Sequence, residues 1–83
     1  MNFKYAVTEL FKGPNGTLEQ RPLKAFGDIQ EAEQYVKERV KQCAVPDADK
    51  DFDYDPSTDT LRQAYAVIAV DSFIQWDVFC LVG

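Results

Sequence analysis

Histidine is absent from this chain, which removes the commonest general base and the commonest metal ligand. Its two cysteines, Cys43 and Cys80, form no CxxC or CxxH spacing, so they are expected as free buried thiols in a reducing, cytoplasmic compartment. No apolar run is longer than the seven residues at 64–70, far short of the roughly 20 that span a bilayer. The start, Met1-Asn2-Phe3-Lys4-Tyr5, lacks the basic and apolar regions of a signal peptide. No Gly-rich loop opens a helix, so a phosphate cradle is missing. The nine basic residues never form a run, which argues against direct nucleic-acid binding. No motif in the chain identifies an activity.

What is present suits a globular domain: 83 residues, 46% hydrophobic and 28% charged. One core over 1–83 is expected, burying about 60–65% of the unfolded surface. That leaves little room for a deep cleft. Ser57, Ser72, Cys43 and Cys80 have no histidine partner, so the usual nucleophilic triads are excluded. A non-enzymatic protein without cofactor is the expectation.

Residues 3–11 read as a strand with Phe3, Tyr5 and Val7 on one face and a slip in the alternation near Glu9. Lys12-Gly13-Pro14-Asn15-Gly16 is the strongest turn signal. A return strand at 17–26 contains Pro22, which marks an edge or an interruption. Asp28-Ile29-Gln30-Glu31 opens a helix like a capping box. Ile29, Ala32, Val36, Val40 and Cys43 then form one apolar stripe with Tyr35 beside it, and Glu33 to Lys37 is an i,i+4 pair. Pro46 ends it.

Residues 60–70 read as a strand, the Val-Ile-Ala-Val end outweighing the helix formers before it. Strict alternation puts Leu61, Gln63, Tyr65, Val67 and Ala69 on one face. Residues 73–82 follow after a turn at Asp71-Ser72, with Ile74, Trp76, Val78, Cys80 and Val82 opposite Phe73, Gln75, Asp77, Phe79 and Leu81. The fold class is therefore α+β: a small two-layer domain with an antiparallel sheet of four to five strands and one amphipathic helix on one face. Both faces of the last hairpin are apolar. Either the preceding acidic segment folds over the second face or another subunit covers it.

That acidic segment is the one unusual feature. Six aspartates and one lysine between 47 and 59 carry a charge of −5, whereas the rest of the chain is neutral. If extended, the segment points Asp47, Asp49, Asp51, Asp53 and Asp55 to one side at intervals of about 6.6 Å, with Phe52 and Tyr54 opposite. Calcium is a poor fit: in frames starting at Asp47 or Asp49, neither the required Gly nor the bidentate Glu is present. No metal is expected.

The functional expectation is a small acidic interaction module. It presents Asp47, Asp49, Asp51, Asp53, Asp55 and Asp59 to a basic, nucleic-acid-handling partner protein and inhibits it as a mimic of nucleic acid. The alternative is an assembly subunit that self-associates through Phe73, Phe79 and Leu81, with the aspartates serving solubility or turn formation.

Overall fold

A computed structural model describes residues 3–81. The element order is β1 (Tyr5–Lys12), β2 (Leu18–Phe26), α1 (Ile29–Gln42), a 3-10 turn (Asp47–Asp49), β3 (Lys50–Asp55), β4 (Thr60–Ala69) and β5 (Ser72–Cys80). All strands pair antiparallel in one sheet of order β2-β1-β5-β4-β3. Val82 lies outside the described residues.

The 13–16 turn closes the first hairpin as its residues require. Gly16 takes φ +77, and Gly13 exchanges backbone bonds with Thr17 and Gly16. β2 is an edge strand, and its pairing with β1 shifts between Val7 and Thr8, so that Thr8 faces Pro22. The missing donor of proline is tolerated there.

Asp28 caps α1, its Oδ1 accepting from the Gln30 N–H at 2.9 Å. The reciprocal bond expected of Glu31 is not among the hydrogen bonds of the described residues, so the cap is single rather than a box. Asp28→Ala should cost about 1 kcal/mol, read as a lower melting temperature by circular dichroism. Ala32, Val36 and Val40 are buried against Val7, Phe26, Leu61, Ala64, Ala66 and Trp76, with Tyr5, Tyr35 and Cys43 packed at the margin. Tyr35 and Phe26 meet ring to ring at 5.3 Å. Glu33 does not pair with Lys37: its Oε1 accepts from the Leu61 N–H, and the Lys37 ammonium lies 5.9 Å from the Tyr54 ring.

Three details depart from simple alternation. Glu9 does not slip; it continues the face of Tyr5 and Val7 and is buried. In β4, Arg62 is an extra residue: Asp53 faces Gln63 while the next residue, Tyr54, faces Leu61. That bulge turns Leu61 onto the helix face with Ala64 and Ala66, rather than with Gln63 and Tyr65. A second shift follows between Val67 and Ala69. Cys43 and Cys80 are both free, but Cys80 is exposed at the end of β5 rather than buried.

The acidic segment neither covers the second sheet face nor forms a loop. It joins the sheet as edge strand β3. Among the described residues no element therefore lies over the face away from α1. Among the described residues no helix is long and apolar enough to cross a membrane.

Candidate functional site

β3 has two unlike sides because its sequence alternates. Lys50, Phe52 and Tyr54 pair with Ala66, Ala64 and Leu61, residues of the helix face. Asp51, Asp53 and Asp55 therefore project from the opposite, uncovered face. Each of these carboxylates has a local partner. Asp51 accepts from the Tyr65 hydroxyl at 3.1 Å, and Asp53 accepts from Arg62 Nε at 2.8 Å. Asp55 accepts from the Ser57 backbone N–H and hydroxyl.

The electrostatic consequences follow these contacts. The Asp51 hydrogen bond and charge raise the Tyr65 phenol above its ordinary value, because both oppose formation of the phenolate. The two bonds from Ser57 hold the Asp55 carboxyl below its ordinary value. The Arg62–Asp53 pair is more than half exposed at Arg62 and nearly so at Asp53. Such pairs are worth under about 1 kcal/mol. A partner's guanidinium can therefore replace Arg62 at little cost.

The other three aspartates do not join this row. Asp47 and Asp49 lie in the 3-10 turn, where the chain is not extended. Asp59 takes φ +55 in the connection to β4, and its N–H bonds the Asp55 carbonyl at 2.7 Å. Asp55 and Asp59 thus also build the turn, as short polar side chains do. The ridge is three carboxylates on a strand rather than five.

Phe73 and Phe79 share the uncovered face, yet they stand at opposite ends of β5, with Gln75 and Asp77 between them. The Gln63 and Gln75 amides both donate to Asp77 Oδ1, so the middle of this face is polar. Thr8 is directly opposite Asp77, and its buried hydroxyl has no partner. Leu81 is exposed beyond the strand, near Phe79 rather than Phe73. Among the described residues no three acidic or cysteine side chains gather to hold a metal.

No known protein family, curated protein or solved structure matches this chain. Its function has to be read from the surface itself.

Sequence reasoning missed two constellations. The first is Glu9, which accepts from Trp76 Nε1 at 3.0 Å, Arg39 Nη2 at 3.2 Å, and Arg21 Nε and Nη2 at 3.2 and 3.0 Å. Its signal was available: Tyr5, Val7, Glu9 and Phe11 keep period two, so a glutamate in that row belongs to the core face. The second gathers Lys37, Lys41 and Lys50 beside Phe52. These lysines are separated in sequence and hidden by the acidic neighbours of Lys50.

Proposed function

We propose that this chain is a non-enzymatic protein-interaction module that presents the acidic face of β3 to a basic surface on a partner protein. The observation that carries the reading is the emergence of Asp51, Asp53 and Asp55 on one side of a strand with a free edge. Alternate carboxylates about 6.6 Å apart offer successive sites to Lys and Arg side chains. The free edge adds unpaired backbone groups beside them, a recurring platform for recruiting an extended segment. A partner whose basic groove otherwise holds phosphates is the class this charge suits. Duplex phosphates advance about 3.4 Å along the axis per strand, so charge rather than register would carry recognition, and occupying the groove would inhibit the partner. The missing histidine, which leaves every serine and cysteine without an imidazole base, supports the non-enzymatic part of the reading.

The test leaves Asp55 in place because it caps the turn. Wild type and the Asp51→Asn, Asp53→Asn variant serve as baits in extract of the source cell at low and high salt. A basic nucleic-acid-binding protein should be retained by the wild type at low salt, released at high salt, and lost with the variant. Proteins retained equally by both baits at both salt concentrations would remove the reading.

A specific observation favours self-assembly as a second reading. The β3 ladder stops at Ala66, and beyond it the β4–β5 tip exposes Val67, Ile68 and a fully exposed Val70. Charge-free, β-branched strand ends of this kind invite pairing with another chain. Light scattering on concentrated protein decides it: a monomer throughout ends this second reading.

A further inference from the structure

Three of the six lysines line one cavity of about 650 Å³, between the second half of α1, the 3-10 turn and the start of β3. Its lining is Lys37, Val40, Lys41, Asp47, Lys50 and Phe52. Three ammonium groups against one carboxylate give a local charge of +2, in a chain whose net charge is −5. The volume lies within the range of small-molecule sites.

Lys50 is the informative member. Its side chain is only 10% exposed, and its partner is Asp47 Oδ1 at 3.6 Å, too long for a hydrogen bond. The Asp47 carboxylate is itself fully exposed, so solvent weakens its hold. An ammonium has three donors and no acceptor capacity. Among the described residues the Lys50 ammonium donates to none, although its stem has been taken out of water. Its chain position explains the burial, since Lys50 pairs with Ala66 on the sheet face that carries α1 and directly follows the 3-10 turn, which packs on the start of β3. Lys41 has a separate structural reason to be where it is: its charge in the last turn of α1 complements the helix dipole. That reason does not extend to Lys50, nor does the core, which accounts for Val40, account for the exposed Phe52 ring beside it.

We propose that this cavity binds a phosphate monoester carried on an apolar or aromatic body. The dianion matches the local charge of +2. Lysines serve phosphate as point charges without demanding the planar geometry of a carboxylate fork. The apolar body lies against the exposed Phe52 ring and displaces water from it, with the buried Val40 at the floor. The site is on the opposite side of β3 from Asp51 and Asp53, so it stands or falls independently of the acidic-face reading.

Phenyl phosphate is the probe, titrated into isotope-labelled protein with amide shifts recorded by NMR. Saturable shifts are expected at residues 37–41 and 50–52, with a dissociation constant of roughly 1 mM or tighter. Lys50→Gln should weaken binding about tenfold, the effect of losing a charged hydrogen-bond partner. Should that variant unfold, as its own spectrum would reveal, Lys37→Gln with Lys41→Gln gives the same reading from exposed positions. Phenol should bind at least about tenfold more weakly, which shows that the charge is needed. No saturable shift at these residues, or undiminished binding by the variants, would overturn the proposal. Phenol binding as well as phenyl phosphate would mark a merely apolar cleft, and benzoate binding as tightly would reject the phosphate assignment.

Discussion

Glu9→Ala is expected to lower the thermal midpoint by more than about 10 °C, from a loss of about 3 kcal/mol in a domain of this size. The Glu9 side chain is 11% exposed and its carboxylate ties together four elements: β1 through itself, β2 through Arg21, α1 through Arg39 and β5 through Trp76. Removing it leaves the buried indole N–H unpaired and takes the carboxylate partner from Arg39, which is only a third exposed, and the cost of abandoned partners exceeds that of the lost contact. Arg21 is mostly exposed and contributes less, so Arg21→Ala should cost no more than about 1 kcal/mol.

Acid should reveal the same network. Burial alone would raise the Glu9 carboxyl, but the bonds from Arg39, Arg21 and Trp76, with the charge of Arg21, outweigh it and hold the group below 4.5. A carboxyl whose folded value is depressed contributes its stability above the unfolded value and loses it as pH falls through the folded value. The gap between wild type and Glu9→Ala should therefore be full at neutral pH and narrow below about pH 4.5. Thermal melts of both proteins between pH 7 and pH 3 check this. A gap that stays constant through that range would show that the network holds the fold by shape rather than charge.

Leu61→Ala should cost about 3 kcal/mol, whereas Tyr65→Ala should cost about 1 kcal/mol or less. Leu61 is 1% exposed and belongs to the core with Val36 and Val40. Tyr65 sits on the uncovered face, bonded to an exposed carboxylate. Strict alternation puts the two residues on one face and so predicts similar costs. The difference measures the bulge at Arg62 directly, and urea unfolding of both variants supplies it. Equal losses would mean that β4 runs without the bulge.

What could be read in advance depended on the range of the interaction. The helix, its cap at Asp28, the buried middle of its stripe (Ala32, Val36 and Val40, with Ile29 and Cys43 only half-buried at the ends), the first turn and the two faces of β5 follow from neighbours within a few residues, and the structure has them. The α+β class followed by counting elements. The bulge at Arg62 was hidden because Leu-Arg-Gln fits alternation or helix equally well, and only packing under α1 selects the register. The acidic segment misled in a different way. Its alternation is real over Asp51, Asp53 and Asp55, but Pro46 starts a 3-10 turn that takes Asp47 and Asp49 out of line. The row of carboxylates also drew attention from Lys50, whose importance comes from α1 and the 3-10 turn flanking it, a contact between segments distant in sequence.

The central position of β5 has a consequence for how the molecule acquires its structure. Each hairpin can form from nearby residues, but β1 meets β5 only when Tyr5 reaches Cys80 and Glu9 reaches Trp76, a separation of 67 residues for the latter. Two locally ordered halves, β1–β2 and β3–β4–β5, must therefore dock along one seam. Loop closure of that length adds an entropic barrier before any seam contact rewards it, which places folding toward the slower, non-local end of small domains. Until docking, the facing edges of β1 and β5 lie open, with Val7, Leu10, Ile74 and Val78 along them. Such edges are where chains find one another instead of themselves. The charge of −5 over residues 47–59, on β3 and the turns at its two ends, acts against such encounters, because like-charged segments of separate chains repel one another while the seam is open.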